Sequence, residues 1–187
     1  SLVNVDGEDI TAFTFSQAKA LLYGAELYID IHPHPLDWLH VENTFSYVRG
    51  AFNQPIEGVK NIPFIPAARL ITQLKAEFLK KGKRISNLSI TAELDNTFRQ
   101  NKAFTAYSTE TPTKGYSLLN AFIGADIMHQ KKMLFSVYIS GTNLANTAYQ
   151  SHLSRLKYTG VNNVTGREGV YNMGRNFSVK INVPLMF

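Results

Sequence analysis

The carboxy-terminal stretch of this 187-residue chain constrains the fold more than any other feature. From Phe177 to Phe187 every second residue is apolar, and the residues between them are polar or proline, with Met186 as the exception. An alternation of period two predicts a strand with one apolar and one polar face. Its length suits the ~9–11 residues with which a tilted strand crosses a bilayer. The same alternation is typical of a last strand in a soluble sandwich or barrel, so this strand alone leaves both open.

Composition excludes several classes of protein. Hydrophobic residues make up 44% of the chain and charged residues 18%, which favours a globular or barrel-like protein over a disordered one. No run approaches the ~18 apolar residues of a transmembrane helix, so any membrane crossing would have to use strands. The chain has no cysteine, which excludes disulfides, thiol nucleophiles and thiolate metal sites. Its net charge of +5 is spread thinly, and we expect no nucleic-acid partner.

The first ten residues are acidic and lack an apolar core. They therefore do not resemble a signal peptide. We expect either a cytosolic protein or a chain that lacks its natural start.

Similar alternation recurs along the chain and predicts about seven strands. The apolar rows begin at Leu21, Leu39, Leu70, Leu88, Leu119, Phe135 and Phe177. Short connections at 32–35, 80–84 and 129–132 alternate with long ones at 49–68, 100–114 and 144–174. Outer-membrane barrels place short turns at one rim and long loops at the other, whereas a soluble sandwich has no reason to sort its loops this way.

Aromatic residues gather near the predicted strand ends, as the girdles of a membrane barrel require. They are Trp38, Tyr47, Phe78, Phe98, Tyr116, Phe135 and Phe187. Together these patterns predict an all-β fold: an antiparallel up-and-down meander of about seven or eight strands, part of a large transmembrane β-barrel. Residues 12–16 are the candidate for the eighth strand.

Five segments carry motifs of one family. They are YGAELYI (23–29), IPFIPAARL (62–70), GYSLLNA (115–121), VYISGTNLANTAY (137–149) and GRNFSVKINVPLMF (174–187). In combination they resemble the carboxy-terminal barrel of TonB-dependent outer-membrane receptors, particularly those of Bacteroidetes-type bacteria. The likeness covers nearly the whole chain from Leu21 onward.

The resemblance implies a location in the bacterial outer membrane and energy-coupled uptake of a scarce nutrient, such as an iron–siderophore complex. Residues 1–187 would then form one carboxy-terminal segment, without the family's plug domain and without most of its roughly 22 strands. The implied partners are outer-membrane lipid, TonB acting through the missing plug, and the barrel-assembly machinery, which would read Phe187 as an assembly signal. We expect no enzymatic activity and no cofactor.

The candidate site residues lie in loops and on polar strand faces. Arg155, Lys157, Tyr158 and Arg167 belong to the last long loop and are the candidates for contact with a ligand. His32, His34 and His40 suggest a metal site, but two of them flank prolines and none has an acidic partner at helical spacing. We therefore expect them to be turn residues. No metal ligand is predicted.

The carboxylates Glu26, Asp30, Glu93 and Asp95 could be interpreted as catalytic pairs. They lie on polar faces of non-adjacent strands, however, beside the basic residues of those faces. A charge network lining a barrel lumen is the better interpretation. We predict no catalytic residue.

Two rival functions remain open at this point. A soluble lipocalin-like barrel that binds a small apolar ligand would show the same alternation, with the apolar faces inside and the polar faces outside. A small outer-membrane enzyme is disfavoured because no catalytic constellation is present. The alternation alone cannot distinguish which face is inside.

Overall fold

The structure is a computed structural model that describes residues 2–5, 8–11 and 17–184. Within these ranges lie ten strands: β1 (Leu2–Val5), β2 (Glu8–Thr11), β3 (Ala20–Ile31), β4 (Leu39–Ile56), β5 (Val59–Asn61), β6 (Arg69–Phe78), β7 (Ile85–Thr97), β8 (Tyr116–His129), β9 (Lys132–Thr142) and β10 (Asn176–Asn182). Two short 3-10 helices, Ala106–Ser108 and Arg155–Tyr158, interrupt the long loops. In the ranges just given, no helix is long and apolar enough to cross a membrane.

The strands form one large antiparallel sheet and a separate pair. β1 and β2 pair with each other, and the large sheet has the order β10-β9-β8-β7-β6-β4-β3, with β5 hydrogen-bonded to β4. This order confirms the predicted antiparallel meander of about eight strands. The proposed strand at 12–16 and the terminal residue Phe187 lie outside the described residues.

The meander places the connections at two rims. The turn between β3 and β4, the turn at 79–84 and the two-residue turn at 130–131 share one edge, which we call the short-turn rim. The loops at 57–68, 98–115 and 143–175 share the opposite edge, the long-loop rim. The predicted sorting of short and long connections is thus present in the structure.

The predicted loop at 49–68 is wrong in its first half, because β4 continues to Ile56 and a tight turn leads into β5. Ile56 pairs with Val59 across Glu57 and Gly58, whose φ angles are 46° and 76°. A two-residue turn with positive φ at both central residues has a backbone twist that matches the right-handed twist of the flanking strands. The proline and glycine content of the segment suggested a loop, and the Glu-Gly pair was the missed hairpin signal.

Apolar residues of consecutive strands align into continuous rows across one face of the sheet. One row takes a residue from each of β4, β6, β7, β8, β9 and β10: Leu39, Ala76, Ile90, Ile123, Ile139 and Val179. Although they lie in central strands, Ile90, Ile123 and Ile139 remain 43%, 44% and 45% exposed. A contiguous apolar surface of this kind marks an interface with a protein or a membrane.

The opposite face is polar, and much of it is buried. The Arg69 guanidinium donates to both carboxylate oxygens of Asp95, at 2.8 and 2.7 Å, and the Asp95 side chain is 8% exposed. Glu93 accepts hydrogen bonds from the amides of Gln73 and Asn120. Buried polar groups are tolerated when they are paired in this way. These contacts match the charge network predicted for this face.

The two faces are therefore the reverse of those in a lipocalin, which packs apolar side chains inside. Within residues 17–184 the buried apolar residues are few: Ala103, Phe104, Ala106 and Leu118, three of them in a long loop. A soluble barrel of this size would bury a large apolar core. The lipocalin-like alternative does not fit this arrangement.

Several of the predicted girdle residues lie at the edges of the apolar face, whereas Tyr116 lies on the polar face. At the short-turn rim the rings of Trp38 and Phe78 stack with centroids 5.4 Å apart. Tyr47 lies inside the longer β4 and not at its end. The preceding residue, Ser46, pairs with Arg69, the first residue of β6. Tyr47 therefore lies level with the beginning of β6, at the edge of the paired region.

Candidate functional site

The loops of the long-loop rim pack against one another through buried polar contacts. The Gln100 side chain donates to the carbonyl oxygens of Ile65 and Pro66, both at 3.0 Å. The Glu110 carboxylate accepts the backbone N–H groups of Phe64 and Phe104, at 2.8 and 2.9 Å. These bonds join the segment before β6 to the loop after β7. The rim is consequently an ordered layer, able to hold side chains in fixed positions.

His152, from the last long loop, lies beneath this layer against Glu110. Its Nδ1 is 2.9 Å from the Thr113 hydroxyl, and its Nε2 is 3.7 Å from a Glu110 carboxylate oxygen. The Lys157 ammonium donates to Thr113 Oγ1 at 2.7 Å. The same ammonium group lies 3.5 Å from His152 Nδ1. Since an ammonium group can only donate, Nδ1 is an acceptor, and the neutral imidazole carries its hydrogen on Nε2.

The surroundings of His152 favour its neutral form. Burial lowers the pKa of the His152 imidazole, the Lys157 ammonium lowers it further, and the Glu110 carboxylate partly opposes both effects. The His152 side chain is 3% exposed, and its Nε2 makes no hydrogen bond. Adding a proton would place a charge in this buried cluster beside a lysine.

Above the cluster lies a cleft of about 480 Å³. Its walls carry four tyrosines and two lysines: Tyr116, Tyr149, Tyr158, Tyr171, Lys114 and Lys157. The rings of Tyr116 and Tyr149 lie 4.3 Å apart, and the Tyr158 hydroxyl accepts the backbone N–H of Thr111 at 3.0 Å. Tyr116 begins β8 on the polar face, so the cleft opens on the polar side of the sheet. Clefts lined by aromatic rings with a few polar groups are typical of ligand sites.

The structure brings two of the four loop candidates to this cleft. Tyr158 and Lys157 line it, but the Lys157 ammonium is largely buried in contacts with Thr113. Arg167 places its guanidinium 5.1 Å from the ring centre of Tyr171, a residue of the cleft wall. Arg155 lies elsewhere, over the ring of Phe64 at 4.6 Å. The ligand-facing role of these four residues stays a prediction.

Four residues of this region were not predicted as site residues from the sequence. They are Glu110, His152, Tyr116 at the start of β8 and Tyr149 in the last loop. Glu110 and His152 are far apart in the chain and carry no motif, so only the packing of the two loops joins them. Tyr116 and Tyr149 each lie inside a segment singled out above, GYSLLNA and VYISGTNLANTAY. Aromatic residues at the ends of those segments were the available signal.

A second polar cluster lies at the short-turn rim. Asp30 at the end of β3 is 2.7 Å from His32 Nε2 and 3.6 Å from His40 Nδ1. In a strand the residue two positions away shares the face, so Asp30 is a partner of His32 that helical spacing does not predict. His34 lies in the turn, as predicted, and faces Asp37 at 3.5 Å, an acidic partner at helical spacing that was overlooked. The expectation of a turn residue is wrong for His40, which lies in β4.

No family model and no curated protein matches the chain. Among solved structures, a protein described as "Copper transporter OprC" superposes on 89% of the chain with a TM-score of 0.69 and 16% sequence identity. The chain spans 24% of that protein's length. At this identity the likeness shows the fold alone, and it agrees with the predicted antiparallel all-β meander. The assignment to receptors of Bacteroidetes-type bacteria stays a prediction.

Proposed function

We propose that the chain forms part of the wall and the outer loops of a transporter in the bacterial outer membrane. The observation that carries the proposal is the inverted sheet, with apolar rows exposed on one face and hydrogen-bonded polar groups buried on the other. Lipid tails would cover the apolar rows, and the polar face would line a lumen. The fold shared with part of a barrel transporter supports the same conclusion.

The sheet would continue into further strands on both sides. β3 and β10 are its two edges, and large apolar side chains on both faces of β3 are exposed, among them Leu21, Leu22 and Leu27 at 61%, 62% and 55%. An edge strand with unpaired backbone groups does not persist in a hydrocarbon environment. The partners of these edges would be other strands of the same barrel.

The transported compound would be a scarce nutrient taken up with energy delivered by TonB through a plug domain, such as an iron–siderophore complex. The cleft at the long-loop rim supports an oxygen-rich ligand, because its walls present tyrosine hydroxyls, the side chain of Lys114 and the opposite charge of Glu168. A bare copper ion suits it less. No imidazole, thiol or thioether is among the described residues that line the cleft. Transport, and not catalysis, is the proposed role.

The remaining proposed partners follow from the same topology. Outer-membrane lipid would contact the apolar rows, and the barrel-assembly machinery would read the terminal strand with Phe187. The short-turn rim would face the periplasm, and the long-loop rim would face the cell exterior.

Single cysteines test location and orientation together, because the chain has none of its own. Val164, 94% exposed at the long-loop rim, and His34, exposed in the turn after β3, are suitable positions. Gly82 is not, because an added Cβ would collide with the carbonyl of Ile85. We expect an impermeant thiol reagent to label Val164→Cys on intact cells and His34→Cys only after the outer membrane is opened. Labelling of both on intact cells, or recovery of the protein in the soluble fraction, would overturn the proposal.

Uptake of a ferric siderophore tests the nutrient class. Tyr116→Ala combined with Tyr149→Ala removes the two adjacent rings of the cleft and should lower uptake at limiting concentration at least several-fold. Tyr107→Ala is the matched control, since Tyr107 lies in the neighbouring loop, is 72% exposed and does not line the cleft. Equal uptake by both variants at equal surface level would exclude the cleft as the entry site.

A further inference from the structure

We propose that Asp30, His32 and His40 bind one divalent transition-metal ion of the zinc class at the short-turn rim. This site lies at the opposite edge of the sheet from the tyrosine-lined cleft. The inference therefore does not depend on the transported compound or on the orientation of the barrel.

The strand geometry brings the three side chains together. Asp30 and His32 are two residues apart at the end of β3, so they project from the same face. Ile31 pairs with Val41, which places His40 across from the end of β3. Because Asp30 pairs with Glu42, two residues from His40, all three candidate ligands lie on the polar face. The tight connection between the two strands is what sets this register.

The donor atoms already lie at distances close to those of a metal site. Asp30 Oδ2 is 2.7 Å from His32 Nε2 and 3.6 Å from His40 Nδ1, and one donor atom from each residue lies within 4.8 Å of the others. Tetrahedral ligand atoms at zinc bond lengths are about 3.3 Å apart. The His32 side chain is 54% exposed and free to adjust, whereas that of His40 is 16% exposed and held. His32 is therefore the ligand that can adjust its position around an ion.

Glu77 supplies an outer partner. The Nδ1 atom of His40 faces the cluster, and its Nε2 lies 4.0 Å from a carboxylate oxygen of Glu77. Metal-bound histidines commonly donate their other ring nitrogen to a carboxylate, which fixes the ring and the tautomer. Lys75 and Lys80 hold Glu77 in turn, at 2.7 and 3.5 Å. Nδ1 of His40 thus faces the other candidate ligands, and its Nε2 lies near Glu77 but beyond hydrogen-bond distance.

The ligand set selects the class of ion. Two imidazoles and one carboxylate, with water in the fourth position, suit zinc and related transition metals. Calcium and magnesium prefer oxygen ligands throughout and are not expected here. The three ligands would come from β3, from the segment after it and from β4. A bound ion would therefore hold the turn between the two strands in place.

Titration of the full-length protein in detergent with zinc alone, and with cobalt as a spectroscopic probe, tests the site. We expect one zinc ion per chain and the intense visible absorption of tetrahedral cobalt. His40→Gln and His32→Gln should each weaken zinc binding at least tenfold and abolish the cobalt band. The matched control is His34→Gln, which changes an exposed histidine of the same turn and should leave both unchanged.

Glu77→Gln tests the outer partner. It should keep the cobalt band but weaken zinc binding about 10-fold or more, the usual effect of removing a partner of a ligand histidine. Heat-dependent mobility on a gel verifies that each variant is folded. The proposal is overturned if binding does not saturate at one ion, if His32→Gln and His40→Gln bind as the parent does, or if His34→Gln weakens binding equally.

Discussion

The two faces of the central strands are held by different means. On the apolar face Ile123 and Ile139 pair across β8 and β9 yet stay nearly half exposed, so protein packing supplies only part of their burial. On the polar face of the same strands, Ser136 is 6% exposed and donates to Asp126 at 2.6 Å. One face therefore depends on what covers it from outside. The other is satisfied by bonds within the chain.

The comparison also explains an apparent exception in β4. Asn43 interrupts the apolar row between Val41 and Phe45. Its side-chain oxygen accepts the hydroxyl of Thr72 at 2.8 Å, and the two residues pair directly across β4 and β6. A polar residue is tolerated on the apolar face because a partner on the adjacent strand satisfies it.

The largest expected effect comes from charging the apolar face. Ile139→Lys should lower the free energy of unfolding in lipid by about 2–4 kcal/mol, since the side chain would lie near mid-membrane. Ser140→Lys is the control, because Ser140 is the next residue and points to the opposite face, where it contacts Ser178. The urea midpoint after refolding into vesicles measures both variants. Equal losses would mean that the two faces do not differ in their surroundings.

A smaller effect is expected from breaking one bond of the polar face. Asp95→Asn removes the carboxylate that accepts both bonds from Arg69 and should cost about 1–3 kcal/mol, toward the lower value because the Arg69 side chain is half exposed. Asp37→Asn changes an almost fully exposed carboxylate in a turn and should be neutral. The same urea titration applies. A neutral Asp95→Asn would show that the buried pairs of this face contribute little.

The polar contacts continue into the loops, where they should respond to pH. The folded state keeps the pKa of His152 below its unfolded value, so the unfolded loop binds more protons as the pH falls below about 6.5. The order of the loop layer should therefore be complete above that pH and decline below it. Amide exchange in residues 143–175, compared at pH 7.5 and 5.5, measures this.

His152→Gln provides the control for the pH experiment. It retains a polar side chain of similar reach but cannot titrate, so the difference in exchange between the two pH values should shrink. If amide exchange in His152→Gln still differed as much between the two pH values, the pH response would belong to another titratable group. The strands of the central sheet serve as an internal reference, since their amides should exchange equally slowly in both proteins.

The smallest effect on stability is expected at the end of the apolar row. Phe187 would lie at the membrane interface, where a side chain contributes little to the folded barrel, so its deletion should leave the urea midpoint nearly unchanged. The surface level of the protein in cells should fall instead, because insertion would be slowed. Ile181→Lys, within β10, should do the reverse and weaken the folded barrel. An unaffected surface level after deletion would exclude the assembly role of Phe187.

The sequence by itself determined the strands β3, β4 and β6 to β10, their antiparallel order and the division of each into two faces, but it did not predict β1, β2 or β5. These follow from local rules: side chains of a strand alternate in direction, and a turn of a few residues forces neighbouring strands to be antiparallel. From Ala20 onward, every predicted apolar row corresponds to a strand of the structure. The one large error, at 49–68, arose where Glu57 and Gly58 form a tight turn that composition does not reveal.

Only the tertiary structure decided which face is exposed and which distant residues meet. Alternation is symmetrical, so it cannot state which face is buried, whereas the structure leaves Ile139 exposed and buries Asp95. Glu110 and His152 are joined by loop packing, and Asp30 and His40 by cross-strand register. Such contacts depend on the fold of the intervening chain, and no local pattern encodes them.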